Sequence, residues 1–143
     1  MALYNYNPEL VIATAGGFNI DGFAPGTMIA CDLARDSVTF TEGATGLKAK
    51  TTRTANALGT IKFTLMQGSR GNAILTTLFS AQQAAQGVTS IPFGVVNPNG
   101  GESAFIAQGA IKRPPMVQFA DTDGTREWTV EGEMTINAVG AIA

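Results

Sequence analysis

The chain has 143 residues, a net charge of −2, a pI near 5.0, 45% hydrophobic residues and only 14% charged ones. That length suits one domain, 1–143, able to bury roughly 68–70% of its unfolded surface without metals or disulfides. No basic run, no histidine, one cysteine and no long apolar stretch argue against a phosphate-neutralising nucleic-acid binder, a zinc site, a histidine-based catalyst and a membrane span. Ordinary soluble domains carry about 25% charged residues. So charge-poor a surface fits either a small Gly/Ala/Thr-rich β domain or a chain whose surface is covered by copies of itself. The N-terminus lacks the charged and apolar zones of a signal peptide, which predicts synthesis in the cytoplasm.

Residues 1–8 read as an extended arm, with Tyr4, Tyr6 and Pro8 in Asn-rich surroundings. Leu10–Thr14 is a first strand, Gly16-Gly17 a turn, and Phe18 and Ile20 resume the alternation. Asp21-Gly22 and Pro25-Gly26 are further turns before a strand over Thr27–Asp32, in which Cys31 packs as a small hydrophobe. Residues 42–59 break the pattern. Large apolar side chains nearly vanish, Leu47 and Leu58 excepted, while Gly, Thr and the cations Lys48, Lys50 and Arg53 accumulate. The stretch reads as a long loop with no core of its own: either an open surface loop, or one that becomes ordered against a neighbouring subunit.

Thr60–Leu65 is the cleanest strand, with Ile61, Phe63 and Leu65 on one face and Thr60, Lys62 and Thr64 on the other. Ser69 is placed to cap a helix over 70–86, whose apolar stripe is Ile74, Leu75, Leu78 and Phe79 and whose end is marked by Gly87. A hairpin follows: Ile91–Val96, the turn cluster 97–101, and Ser103–Lys112. Pro114-Pro115 ends it, Met116–Phe119 is short and extended, and Asp121–Gly124 turns the chain into a last strand over Arg126–Ile136. About eight strands and one helix without a βαβ alternation predict a mainly antiparallel β-sandwich or barrel with one flanking helix.

No catalytic constellation can be assembled, so the expectation is a protein that is not an enzyme and holds no cofactor. Gly68–Asn72 precedes a helix but lacks the Gly-Lys-Ser/Thr ending of a phosphate loop. Asp121 and Asp123-Gly124 lack the remaining ligands of a calcium loop and read as a turn. In the last strand Trp128, Val130, Met134 and Ile136 share one face, and Glu127, Thr129, Glu131, Glu133 and Thr135 the other. In a monomer that second face is solvated. In a ring, together with Thr60, Lys62 and Thr64, it lines a channel, and its carboxylates repel a passing polyanion.

Several segments, in order and spacing, resemble the tail tube proteins of contractile-tailed bacteriophages. They are Tyr6-Asn7-Pro8, Gly22–Ile29, Gly59–Gln67 running through Ser69 and Asn72 into the helix, Lys112-Arg113-Pro114-Pro115, and Arg126–Val130. The turn at 97–101 departs from the pattern. The resemblance implies a β-sandwich with a flanking helix that assembles into hexameric rings around a channel, related in fold to type VI secretion tube proteins. It implies ring stacking through the 42–59 loop and the terminal arm, with Leu47, Lys48, Lys50, Arg53, Tyr4 and Tyr6 at the contacts. It also implies that DNA passes without specific binding, and that the partners are further copies, the sheath, the tape-measure protein, the tail terminator and the baseplate hub. The expected location is the virion tail, assembled in the host cytoplasm. Rival readings are a type VI-like tube subunit, a terminator, or a monomeric ligand-binding β-barrel.

Overall fold

The computed structural model describes residues 8–33, 38–41, 50–53, 58–85, 90–98 and 101–137, and for 38–41 and 50–53 the backbone. A 3-10 turn over Pro8–Leu10 leads into strands β1 (Ile12–Ala15), β2 (Phe18–Ile20), β3 (Ile29–Leu33), β4 (Val38–Thr41), β5 (Lys50–Arg53) and β6 (Leu58–Met66). Helix α1 (Arg70–Ala84) follows, then β7 (Ile91–Asn97), β8 (Glu102–Arg113) and β9 (Thr125–Asn137). The β1–β2 turn is Gly16-Gly17. Both have positive φ, 59° and 88°, which a two-residue hairpin of matching twist requires.

Seven strands form one antiparallel sheet in the order β2-β1-β7-β8-β9-β6-β3, and β4 and β5 pair with each other. The mainly β, one-helix composition is as expected. The sandwich or barrel is not: the sheet is continuous, with two ends. The physical reason lies in the length of β8 and β9. β9 pairs with β6 through residues 125–133 and with β8 through 129–137, so one pair of long strands serves both halves of the sheet and no second sheet is needed. The expected loop at 42–59 is also interrupted. β5 lies inside it as half of the β4–β5 hairpin, and β6 begins at Leu58.

The core lies on one face of the sheet. β6 contributes Ile61, Phe63 and Leu65, β9 contributes Trp128, Val130 and Met134, β8 contributes Ala104, Ile106 and Ile111, and β7 contributes Ile91 and Phe93. Helix α1 adds buried Leu75, with Ile74, Leu78 and Phe79 packed at the margin. Ser69 caps the helix: its hydroxyl accepts from the Gly71 amide (3.1 Å) and donates to the Asp21 carbonyl (2.6 Å), tying the helix start to the end of β2. The chain after β2 then runs along β6. The Met66 amide donates to the Gly22 carbonyl and the Ala24 amide to the Thr64 carbonyl, at 2.9 and 3.0 Å. The segment after β2 is thereby tied to the end of β6 that leads into the helix.

Three glycines lie level with one another across the middle of the sheet: Gly59 on β6 faces Gly132 on β9, which faces Gly109 on β8. A Cβ on Gly132 would sit 2.6 Å from the Gln108 carbonyl oxygen and 2.8 Å from the Gly109 Cα. The β8–β9 register shifts between Ile106 and Gly109, a bulge that bends the strand. Gly132→Ala is therefore expected to destabilise the monomer by about 1–3 kcal/mol, the usual cost of overpacking, as read by denaturant unfolding. An unchanged midpoint would show that the backbone there yields freely.

Candidate assembly and channel-facing surface

The face of β6 and β9 opposite the core follows from their alternation. Thr60 pairs with Glu131, Lys62 with Thr129 and Thr64 with Glu127; Glu133 pairs with Leu58 at the end of the ladder. All seven residues singled out from the sequence thus lie on one face of one strand pair. Lys62, Glu127 and Glu133 are exposed, and Thr60, Thr64, Thr129 and Glu131 partly covered.

The ladder brings further residues to that face. β3 adds Ala30 beside Lys62 and Asp32 beside Thr60. β8 adds Arg113 beside Thr129, and Lys112, whose Nζ lies 3.2 Å from Glu131 Oε2. Asp32, Glu127, Glu131 and Glu133 against Lys62, Lys112 and Arg113 leave a single net negative charge among the described residues. The sequence showed three carboxylates offset by one lysine; the folded face is a mixed, hydroxyl-bearing one. Lys112 is largely exposed, so its ion pair contributes at most about 1 kcal/mol. An open groove of ≈ 870 Å³ runs between this face and residues 112–118, with Asp32, Lys62, Arg113, Pro115 and Glu127 along it.

The strand at each margin of this slab differs in how its edge is treated. On β3, the Met28 carbonyl accepts from the Thr64 amide (2.9 Å). Alternate residues of an antiparallel strand address opposite sides, so the amides and carbonyls of Ile29, Cys31 and Leu33 face away from β6. On β8, pairing with β7 ends at Gly109. Two residues on, the Gln82 side chain of α1 stands in for a strand: its Nε2 donates to the Ile111 carbonyl (3.0 Å) and its Oε1 accepts from the Ile111 amide (2.8 Å). At the far end Trp128 Nε1 donates to Asn72 Oδ1 (3.0 Å), while Asn72 Nδ2 donates to the Met66 and Gln67 carbonyls. Gln67 Oε1 accepts from the Gly124 amide, so the start of β9 is tied to the residue that follows β6.

Beside β3 a cleft of ≈ 420 Å³ opens, bordered by Ile29, Cys31, Val11, Val95, Ala104 and Ile136. Ile136 shares the core face of β9 as expected but sits at this rim, 41% exposed. Burial pushes the Cys31 thiol up to about 11.

The model of the family described as "Bacteriophage PhiTE tail tube protein" matches residues 11–139. The chain belongs to this tail tube family. The resemblance read from the sequence is therefore shown at the level of the family. Two solved structures share the fold. One is the anti-feeding prophage cap (AFP tube terminating cap), with a TM-score of 0.61 at 15% identity, covering 99% of this chain and 95% of that one. The other is the PVC sheath/tube terminator of an extracellular contractile injection system in its extended state, at 0.58 and 13%, covering 96% and 100%. No curated protein matches the sequence.

For a tail tube family member, the residues expected at ring contacts divide in two. Lys50 and Arg53 lie on β5, at the two ends of its pairing with β4. Tyr4, Tyr6, Leu47 and Lys48 lie outside the described residues. Asp32, Lys112, Arg113 and Gln82 were missed. The Lys112-Arg113-Pro114-Pro115 run marks a strand end, but only the register shift between Ile111 and Arg113 places Arg113 on the polar face with Lys112.

The Cys31 thiol gives a test of the cleft. Its ordinary value of 9.0 rises to about 11, so at pH 8 the thiolate fraction falls about 100-fold, and iodoacetamide should label the unassembled protein correspondingly slowly. The folded state holds the proton more tightly than the unfolded one. The associated stability is present below pH 9 and is lost as pH rises from 9 towards 11. Labelling as fast as that of a free thiol would mean that the cleft is open water.

Proposed function

We propose that the chain is the repeating subunit of a phage tail tube: six copies form a ring, and stacked rings form a hollow conduit for DNA. The observation that carries this is the family match over residues 11–139, taken with a four-strand slab, β8-β9-β6-β3, that is polar on one face and core-forming on the other. Closing six such slabs side by side removes their exposed edges and turns the polar faces inward. Thr60, Lys62, Thr64, Glu127, Thr129, Glu131 and Glu133 then line the channel. A wall of hydroxyls and nearly balanced charges gives a sliding polyanion neither a basic track to bind nor a deep barrier to cross. The partners are further copies, the sheath, the tape-measure protein, the terminator and the baseplate hub. The role is structural rather than enzymatic, and its place is the virion tail.

Contacts between rings are assigned to the 42–59 segment and the N-terminal arm, through Leu47, Lys48, Lys50, Arg53, Tyr4 and Tyr6. Heterologous contacts that close by rotation make a ring, and axial contacts that do not close continue indefinitely. A second reading, a terminator that closes the end of a tube, is favoured by the names of the two solved structures that share the fold. Electron micrographs of the purified protein separate the two, since a tube subunit gives open-ended polymers and a terminator gives single rings.

The triple substitution Lys48→Glu, Lys50→Glu and Arg53→Glu is expected to leave the far-ultraviolet circular dichroism and the monomer's unfolding midpoint unchanged while abolishing polymers longer than one or two rings. Tubes of normal length from that variant would exclude the cations from the stacking contact.

A further inference from the structure

The slab that faces the proposed channel has two unequal margins, and each lacks what the other carries. At the β3 margin, the main-chain groups of Ile29, Cys31 and Leu33 face outward from the sheet beside the Cys31 cleft, and Asp32 is exposed on the polar side. At the opposite margin Gln82 occupies Ile111, and the β8–β9 ladder ends at Arg113, paired with Thr129. Residues 114–119 make no main-chain bond to another element among the described residues; the Gln118 carbonyl accepts only from the Arg126 guanidinium (3.2 Å). This free stretch is apolar as well as unpaired: Met116 is 76% exposed, Val117 67% and Phe119 84%. It begins at the exposed cation Arg113.

Direction fits as well as chemistry. β8, β9, β6 and β3 alternate in sense, so β8 runs opposite to β3. Because four is an even number, rotating one copy onto the next about an axis through the channel brings the free end of β8 against β3 in antiparallel sense. Antiparallel addition of an extended segment to an open edge supplies main-chain hydrogen bonds, and side-chain pockets then set its specificity.

We infer that the stretch Arg113–Phe119 of one copy runs antiparallel along β3 of the next, with Met116–Phe119 making the main-chain pairing because Pro114 and Pro115 carry no amide hydrogen, apolar side chains of Met116–Phe119 entering the cleft bordered by Ile29 and Cys31, and Arg113 meeting Asp32. The inference rests on the ring reading and names the seam by which that ring closes. Among the described residues nothing covers the three large apolar side chains and no strand pairs with the outer edge of β3. With a neighbour, both are covered by the same contact.

The test places a benzoylphenylalanine at position 119 of the full chain and irradiates the assembled rings or tubes. A ladder of covalent oligomers is expected, with the cross-linked peptide of the second copy mapping to residues 28–33 by mass spectrometry. Cross-links elsewhere on the partner, or within the same chain, would overturn the seam while leaving rings seen in micrographs to support the ring reading. The absence of any assembly by the wild-type chain would overturn both. In parallel, Val117→Asp and Phe119→Asp alter exposed side chains only. Both should unfold at the wild-type temperature as monomers yet lose at least 10-fold in the fraction assembled, and normal assembly by either variant would count against the proposal.

Discussion

Nine consecutive residue pairs join β6 to β9, from Leu58 opposite Glu133 to Met66 opposite Thr125. One side of this ladder places Ile61 and Phe63 against Val130 and Trp128 in the core; the other places Thr60, Lys62 and Thr64 against Glu131, Thr129 and Glu127. Side chains alternate with a period of two, so a slip of one residue in either strand would push carboxylates inward and an indole outward. The burial of Trp128 and Phe63 fixes the register, and the register places every polar group of the opposite face. The indole nitrogen's bond to Asn72 fixes the same register from the helix side, because Asn72 is held in turn by the Met66 and Gln67 carbonyls.

The parts legible in the sequence are those where local pattern and tertiary environment agree. Alternation over Thr60–Leu65 and Arg126–Ile136 gave both strands and their faces, and Ser69 marked the helix start because a hydroxyl there serves an amide that nothing else can reach. The parts that were not legible depend on partners distant in sequence. Lys50–Arg53 has no apolar alternation, so nothing local distinguishes its pairing with β4 from a loop. Whether two long strands make one sheet or belong to two is decided by where β9 changes neighbours, and periodicity does not record that. That Arg113 joins Lys112 on the polar face depends on a register shift of β8, which a single sequence leaves unmarked. At Gly109 and Gly132 two backbones approach so closely that a Cβ on either would meet main-chain atoms at 3.0 Å or less.

Membership of the tail tube family and a fold shared with tube terminators place a common sheet under two different tasks. On the proposed reading, lateral closure belongs to the slab, and axial growth belongs to segments outside it. The division is physically economical. The slab's shape is set by a packed core that tolerates little change, whereas β4 and β5 pair with each other in a small sheet of their own.

The Gln82 contact has a consequence for the chain before it finds any partner. A side-chain amide that holds both main-chain groups of Ile111 breaks the border of β8 at one point, and Pro114 and Pro115, which have no amide hydrogen, break it again three residues later. A foreign polypeptide meeting that border finds no uninterrupted run long enough to template a growing cross-β fibril, which needs six or seven residues in register. On the proposed reading, a subunit that must accumulate at high concentration in order to polymerise correctly is thereby guarded against polymerising wrongly.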